Sequence, residues 1–353
     1  MIRMVQLGID HPHAAAYRGT LWSLRDRIEV VGFLAREGDT TAPTGPFADV
    51  PVYHSLDDLL NATRPDAAQV MLRNDEMGAI LTRLANEGLH LWVEKPLARR
   101  ATDLAPVREI VRRKGLIFTA GYQNWFNPAS VHVHDLVRAG LIGPLTFAHL
   151  VVSTTTARLR DPAGPQGYYF DPAISGGGIF HWLGCHMVDL LLHVTGDLPT
   201  TVTAMTAMTG EAAIDVEDVA AVTLRFPSGW VASLNYGYLL PTKEASPFGE
   251  DGLDFGLYGQ QGWVRWNWAT EARSYSADPR RSATPWERAQ FATPPAEGYG
   301  HSGRLVMENF LDAIAGLVAP AYRIEEAMRV LEVIEGAYQS AETGHVVALS
   351  LTT

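Results

Sequence analysis

The chain has 353 residues, of which 47% are hydrophobic and 19% are charged; this balance excludes a disordered protein and allows two domains. Its formal net charge of −11 repels phosphate backbones, so we expect no nucleic-acid partner. No uninterrupted apolar run reaches the roughly 18 residues of a membrane span, Met1-Ile2-Arg3 leads directly into a predicted strand, and Cys185 is the only cysteine. We therefore expect a cytoplasmic protein with no membrane partner and no internal disulfide.

The first third of the chain alternates apolar strand patterns with helical patterns. The predicted strands cover 2–8, 28–34, 67–72, 90–93 and 116–120, and the predicted helices cover 14–25, a short segment after Ser55, 75–88 and 102–114. A Pro/Gly-rich loop covers 38–51. Strands that alternate with helices predict a doubly wound parallel sheet, and hence an α/β fold.

From about residue 122 the pattern changes to long strands with few helices. Asn127 and Pro128 predict the start of a helix that runs to about Gly140. The predicted strands are 144–156, 200–209, 216–226, 229–239, 252–259 and 262–268, followed by a long loop over 277–300 and helices over 302–317 and 324–342. We predict two domains, 1–121 and 122–353, the second with a large, mainly antiparallel sheet and with C-terminal helices that pack back.

The stretch Glu94-Lys95-Pro96 ends the predicted strand 90–93 with an acid, a base and a proline. Pro96 disfavours helical backbone at Lys95, which is therefore held extended, at the strand end where ligands bind in open α/β sheets. Of the 28 basic residues only Lys95, Lys114 and Lys243 are lysine. Because a lysine can lose its proton when it is desolvated and an arginine cannot, Lys95 is a candidate for chemistry, although a solvated Glu-Lys pair is the simpler interpretation.

The first strand leads into the turn Gly8-Ile9-Asp10-His11-Pro12-His13. A dinucleotide-binding turn normally has glycines at three positions, and here only Gly8 is present. Asp10 and His13 occupy the other two positions, which also fits a plain connection between a strand and a helix. A third interpretation takes Asp10, His11 and His13 as metal ligands, but a loop triplet alone does not show convergent geometry, so we predict no metal.

The second predicted strand ends in Leu34-Ala35-Arg36, where an acidic residue would accept hydrogen bonds from an adenosine ribose. Alanine cannot accept them. Arg36 could pair with a 2′-phosphate, which slightly favours NADP over NAD, or it could form an exposed pair with Glu37.

The glycines at 176–178 let the backbone approach another group closely, and a second cluster of polar residues follows them. The next helix is predicted to present Trp182, His186 and Asp189 on one face, at spacings of four and three residues. Asp189 could then bias the imidazole of His186, which becomes a candidate general base, whereas a hydrogen-bonded core histidine is the simpler interpretation.

Five features together resemble the Gfo/Idh/MocA family of sugar oxidoreductases, over essentially the whole chain. They are the parallel N-terminal half, Glu94-Lys95-Pro96, Gly121-Tyr122 with Phe126-Asn127-Pro128, the glycine segment that leads to His186 and Asp189, and the ending 338–344. The resemblance implies a Rossmann-type dinucleotide-binding domain followed by a C-terminal α/β domain with an open sheet.

The resemblance also implies an NAD(P)-dependent hydride transfer on a hydroxyl or carbonyl of a sugar, sugar acid or cyclitol. Lys95 and His186 fall on the family's catalytic lysine and histidine. Gly8, Asn74, Glu94 and Lys95 fall on positions that usually touch the cofactor. For the substrate we expect apolar ring faces from Trp125, Tyr168 and Trp182. An open sheet with exposed apolar residues needs covering, so we expect a homodimer or homotetramer.

The chain departs from the family pattern at several positions. Trp182 replaces an aspartate four residues before the histidine, Leu72-Arg73-Asn74 and Met77 replace Thr-Pro-Asn and a histidine, and Asn124-Trp125 replaces a pair that is commonly basic. These departures keep two alternatives open: a redox-neutral lyase or epimerase that uses the same lysine and histidine, and a non-catalytic sugar-sensing protein on this fold.

Overall fold

A computed structural model of the protein describes residues 1–39, 42–155, 167–210, 214–240, 253–267, 270–292 and 294–353. The predicted strands 144–156, 252–259 and 262–268 each have one end residue outside the described residues, at 156, 252 and 268. The chain divides into two compact units, Met1–Gln123 with Pro294–Met328, and Asn124–Thr293 with Arg329–Thr353. The domain division at 121/122 stays a prediction.

The first unit is built on a parallel sheet. Its strands are β1 (Ile2–Leu7), β2 (Ile28–Leu34), β3 (Val52–Tyr53), β4 (Ala67–Val70), β5 (His90–Val93) and β6 (Phe118–Ala120). They lie in the order β3-β2-β1-β4-β5-β6, and every neighbouring pair is parallel. This is the strand order of dinucleotide-binding doubly wound sheets, so the predicted fold class is confirmed.

The described residues contain nine α-helices. In chain order they are α1 (Ala14–Ser23), α2 (Leu56–Thr63), α3 (Asn74–Glu87), α4 (Ala105–Lys114), α5 (Pro128–Arg138), α6 (Pro172–Ser175), α7 (Cys185–Thr195), α8 (Gly300–Ile314) and α9 (Ile324–Thr343). Ser55 caps α2 by accepting a hydrogen bond from the Asp58 N–H. Gly88 and Gly115 end α3 and α4 with φ of 90° and 64°, a conformation that glycine adopts without strain.

The second unit is built on a larger sheet. Its strands are β7 (Leu145–Thr155), β8 (Thr201–Ala207), β9 (Val219–Arg225), β10 (Val231–Leu240), β11 (Leu253–Gly259), β12 (Gly262–Trp266), β13 (Glu271–Ser276), β14 (Trp286–Gln290) and β15 (Val347–Ala348). The order is β14-β13-β12-β11-β7-β10-β9-β8-β15, and all pairs are antiparallel except β7 with β10. The prediction of a mainly antiparallel sheet is confirmed.

The prediction of a long loop over 277–300 is wrong in part, because β14 lies inside it and pairs with β13, which was not predicted either. Both strands are polar; β14 is the edge strand of the sheet, and β13 lies between β14 and β12. Side chains of β14 alternate between half-buried and exposed positions, so the strand lacks the apolar alternation by which strands are recognised. Its pairing is fixed by cross-strand contacts, such as the ion pair between Arg288 and Glu271.

None of the helices in the parts of the chain that the structure describes is both long and apolar enough to cross a membrane.

Candidate functional site

The carboxyl end of β5 carries two buried charged residues. Glu94 is 2% exposed and Lys95 is 5% exposed. The Glu94 N–H donates to the Val70 carbonyl at 2.8 Å, which continues the β4–β5 ladder by one residue. The Asn74 side chain, at the first residue of α3, donates to the Pro96 carbonyl at 3.4 Å. Lys95 is thus held between two anchored neighbours at the strand end where ligands bind in this kind of sheet.

His13 is the partner of the buried Glu94 carboxylate. Its Nδ1 lies 3.0 Å from Glu94 Oε1 and 3.1 Å from the Tyr299 hydroxyl. Burial by itself raises the pKa of Glu94, but His13, Lys95 and His11 together outweigh it, and the pKa of Glu94 lies below its ordinary value. Glu94 is therefore held as a carboxylate beside Lys95.

Aromatic rings and two glycines fix this cluster from the side of α1. The Tyr299 ring stacks on Tyr17 at 4.3 Å, and Tyr17 meets Trp92 edge to face at 4.5 Å. Burial and the nearby Glu94 raise the pKa of Tyr17 well above its ordinary value. A Cβ on Gly19 would lie 2.7 Å from the Cα of Gly298, so only glycine at both positions lets the segment before α8 approach α1. Sequence reasoning missed Tyr299, because 286 residues separate it from His13.

The turn after β1 satisfies its own amides. The His11 N–H donates to Gly8 O, the His13 N–H donates to His11 Nδ1, and the Ala14 N–H donates to His11 O. Burial lowers the pKa of His11 to about 3, so the ring is neutral, and the hydrogen bond from the His13 N–H requires Nδ1 to be the nitrogen without a proton. Gly8 has φ +84°, and a Cβ there would lie 1.9 Å from Met71 O, so the first glycine is required by the close approach of β4.

A nicotinamide dinucleotide fits these residues at its two ends. A buried cation, Lys95, lies at the end of β5, and carboxylates that could accept from ribose hydroxyls lie near the ends of β1 and β2. The turn between β1 and α1 offers fewer amide donors to a diphosphate than a three-glycine turn does, since three of its N–H groups are already used.

Arg36 lies between two carboxylates rather than beside Glu37. Its Nη2 is 3.2 Å from Glu76 Oε2 and its Nε is 3.9 Å from Asp10 Oδ2. Arg36 thus contacts the first turn of α3 and the turn after β1, whereas the sequence offered a 2′-phosphate or Glu37 as its partner. Among the described residues, no group of three or more His, Cys, Asp or Glu side chains is arranged to hold a metal ion.

In the second unit, His186 lies in the first turn of α7 and is buried. The chain enters α7 through a π-helical turn over Phe180–Gly184. Trp182 lies in that turn, and His186 and Asp189 lie in the α-helix, so the predicted helix begins with a π-turn; that the three side chains share one face stays a prediction. π-turns of this kind are frequent at functional sites.

Two of the three predicted substrate-binding residues lie in one aromatic cluster. Tyr168 contacts Tyr169 at 4.2 Å between ring centroids, and Tyr169 contacts Trp182 at 4.1 Å. Tyr169, which sequence reasoning did not select, joins them. The doublet Tyr168-Tyr169 was the signal that could have identified it.

Trp125 lies elsewhere in the second unit, against α7. Its indole Nε1 donates to Asp189 Oδ2 at 2.9 Å, and its ring stacks on His193 at 3.9 Å. His193 also stacks on His134, with 4.8 Å between the ring centroids. Burial and the nearby His134 lower the pKa of His193 to about 3, so this ring is neutral. One face and the polar edge of Trp125 are therefore occupied by the protein itself.

The glycine segment before α7 is shaped by Glu217 and Tyr338. The Gly178 and Phe180 N–H groups and the Tyr338 hydroxyl all donate to the Glu217 carboxylate, at 2.8, 3.0 and 2.7 Å. A Cβ on Gly177 would lie 2.1 Å from the Tyr338 hydroxyl. The close approach predicted for these glycines is therefore made by the protein's own side chains, and it fixes the entry into the π-turn. Glu217-Asp218, an acidic pair at the start of an apolar strand, was the missed signal.

Comparison with known proteins was made for the sequence and for the fold. Residues 8–122 match the family described as "Oxidoreductase family, NAD-binding Rossmann fold", and residues 130–265 match the "GFO/IDH/MocA C-terminal domain". The chain is 25% identical over 297 residues to D-xylose 1-dehydrogenase (NADP(+)) 2 of Haloferax volcanii, over 84% of each chain. It is 27% identical over 187 residues to 2,7-anhydro-N-acetylneuraminate hydratase of Escherichia coli, over 52% of this chain and 48% of that one.

The fold is also shared with solved structures. An oxidoreductase domain protein from Kribbella flavida superposes with a TM-score of 0.82 at 17% identity, over 99% of this chain and 100% of that chain. The two family matches together cover more than half of the sequence; the first contains β2 to β6 of the parallel sheet, and the second contains β7 to β11 and most of β12 of the mainly antiparallel sheet. This chain belongs to the Gfo/Idh/MocA family of oxidoreductases, with an NAD-binding Rossmann fold in its N-terminal part.

Proposed function

We propose that the protein is an NAD(P)-dependent oxidoreductase that acts on a hydroxyl or carbonyl of a sugar, sugar acid or cyclitol. The observation that carries the proposal is the buried Glu94–Lys95 pair at the carboxyl end of β5, in a sheet with dinucleotide-binding strand order. A buried lysine is costly unless it is used or paired, and this one lies beside a carboxylate that is itself held ionised. The similarity to a D-xylose dehydrogenase supports the sugar as substrate class.

The proposed roles follow from the chemistry of the two candidate catalytic side chains. His186 takes the proton of a substrate hydroxyl as general base. Lys95 orients the substrate oxygen and stabilises its negative charge as it develops. A bound nicotinamide supplies the hydride acceptor. Asn74 and Glu94 hold Lys95 in place, through the Pro96 carbonyl and through charge, and Gly8 shapes the turn on the cofactor side.

For the substrate we propose the aromatic cluster of Tyr168, Tyr169 and Trp182, whose ring faces suit the apolar faces of a sugar. Trp125 is a weaker candidate for direct contact, because its ring stacks on His193 and its N–H binds Asp189. We propose that it supports α7 instead. We also propose a homodimer or homotetramer and a cytoplasmic location, the latter because a chain with one cysteine has no use for an oxidising compartment.

A second candidate is a redox-neutral lyase or epimerase that keeps Lys95 and His186 as acid and base. Two observations favour it. Three N–H groups at the turn after β1 donate to acceptors within the turn, which leaves fewer donors for a cofactor diphosphate, and one relative is named as a hydratase. Detection of reduced nicotinamide during turnover separates the two candidates, since only the dehydrogenase accumulates it. The sugar-sensing alternative has no comparable support, because a sensor has no need of a buried lysine beside an ionised glutamate.

The test is a panel of aldoses, sugar acids and cyclitols with NAD⁺ and NADP⁺, followed by the absorbance of the reduced cofactor. On the substrate that reacts, Lys95→Ala and His186→Ala should each lower kcat/KM by about 10²–10⁴-fold, the usual contribution of a positioned acid or base. Lys114→Ala, which removes a lysine whose ammonium binds the Asn86 carbonyl on the surface, is the matched control and should be neutral. Wild-type-like kcat/KM in Lys95→Ala with an unchanged melting temperature contradicts the proposal.

A further inference from the structure

Two carboxylates, Asp10 and Glu76, lie within ion-pair distance of Arg36. Arg36 follows β2, where a dinucleotide site reads the 2′ position of the adenosine ribose. Its guanidinium lies 3.2 Å from Glu76 and 3.9 Å from Asp10. One cation therefore contacts two carboxylates, and the charges of these three side chains sum to −1.

A 2′-phosphate would bring about two further negative charges to the same place. That phosphate would compete with Glu76 and Asp10 for the Arg36 guanidinium, and both carboxylates lie within 3.9 Å of it. Ribose hydroxyls, in contrast, are donors that carboxylates accept, and they bring no charge. The same three side chains thus repel one cofactor and suit the other.

We infer that Asp10 and Glu76 make this site select NAD(H) over NADP(H), with Arg36 as the bridge that holds the two carboxylates together. The inference rests on the proposed function and reverses the preference for NADP that Arg36 indicates when it is considered without its neighbours. The inferred preference for NAD(H) also differs from that of the Haloferax volcanii relative, whose name specifies NADP(+). The sequence alone did not place Asp10 or Glu76 beside Arg36, because the three residues belong to three different segments of the chain.

The experiment is a binding titration, which needs no substrate. NADH and NADPH are titrated separately into the purified chain at low salt, and energy transfer from tryptophan to the reduced nicotinamide is measured. We expect NADH to bind at least about tenfold more tightly, since unscreened charges at such distances change affinity by this order. Equal or tighter binding of NADPH overturns the inference and leaves the proposed function standing.

Two substitutions test whether the carboxylates are the cause. Asp10→Asn and Glu76→Gln should each lower the ratio of NADH affinity to NADPH affinity about threefold or more, because NADPH loses a repelling charge and NADH loses a charged acceptor for its ribose hydroxyls. Glu87→Gln removes the same charge from the other end of α3, about 16 Å along the helix, and should leave the ratio unchanged. If the ratio of NADH to NADPH affinity is unchanged in both Asp10→Asn and Glu76→Gln, the inference is overturned, even where the wild-type chain binds NADH more tightly.

The outcomes separate this inference from the proposal on which it rests. If neither cofactor binds at millimolar concentration, the proposed dehydrogenase fails and the inference fails with it. If both bind and the preference has the opposite sign, only the inference fails.

Discussion

Two buried glutamates, one in each compact unit, differ in how their charge is handled. Glu94 lies among His13, His11 and Lys95, and these groups hold its pKa below the ordinary value although burial opposes them. Glu217 is surrounded by neutral donors, and there burial prevails and raises its pKa. The difference teaches that burial alone does not mark a catalytic acid: Glu94 is kept ionised beside a lysine, whereas Glu217 serves as an acceptor that shapes a backbone.

The largest effect that tests this comparison should come from Glu217→Ala. The substitution leaves two backbone N–H groups and the Tyr338 hydroxyl without their acceptor in a buried place. We expect a loss of about 3–5 kcal/mol in the free energy of unfolding, measured by urea unfolding. Glu217→Gln keeps one acceptor oxygen and should lose less. If Glu217→Ala unfolds at the wild-type urea concentration, the structural role is wrong.

A smaller loss is expected when Glu94 is deprived of its main partner by His13→Gln. The buried carboxylate then keeps its desolvation penalty without its contact with His13 Nδ1, so the free energy of unfolding at pH 7 should fall by about 1–3 kcal/mol. The pKa of Glu94 should rise at the same time, which ¹³C NMR of labelled glutamate can measure.

The sign of the pH dependence follows from the direction of that shift. Because the pKa of Glu94 is lowered in the folded state, its contribution is complete above the ordinary value of 4.5 and is lost as the pH falls through the lower folded value. His13→Gln should move this loss to higher pH. The control is His345→Gln, on an exposed side chain, and a matching shift in the control would refute the assignment to His13.

Trp125→Phe tests the support of α7 at lower cost. Phenylalanine retains a ring that can stack on His193 but cannot donate to Asp189. We expect a loss of about 1 kcal/mol in the free energy of unfolding. Trp263→Phe, at an indole that lies edge to face against Trp286 in the same unit, is the control for ring size. If both variants lose the same free energy of unfolding, the hydrogen bond from Trp125 to Asp189 contributes nothing measurable.

The smallest effect concerns the two neutral histidines, His11 and His193. Their pKa values are about 3 in the folded chain, against 6.5 ordinarily, so the unfolded chain binds more protons between these values and stability falls as the pH drops below 6.5. His193→Asn should reduce proton uptake on unfolding at pH 5 by about one. Calorimetric unfolding in buffers of different ionisation enthalpy measures it, and His345→Asn should leave the uptake unchanged, since His345 is exposed.

Local patterns were sufficient for the fold class and for the strand end that carries Lys95. The strand–helix alternation predicts the parallel sheet, and α3 and α4 end within one residue of the helix ends predicted at 88 and 114. The polar strands β13 and β14 were missed because their stability comes from cross-strand pairs rather than from an apolar face. The family resemblance selected Lys95 and His186, whose roles stay proposals.

Neighbours that are distant in sequence could not be predicted. Arg36 was considered with Glu37 and proves to lie with Glu76 and Asp10. The glycines at 176–178 signalled a close approach, but nothing local identified Glu217 and Tyr338 as the groups that approach. The sequence showed the charge of Arg36 and the conformational freedom of the glycines, but it did not show which residues contact them.

The parallel pairing of β7 with β10 has a consequence for how the second unit folds. Two parallel strands cannot be joined by a tight turn. The pairing of β7 with β10 therefore requires the long segment between them, which includes α7 and His186, to be in place. Pairings between such distant segments form late and slowly. We expect the middle of the sheet and the helix that bears His186 to appear in one cooperative step, so that no partly folded form of this unit has the sheet without the histidine in place.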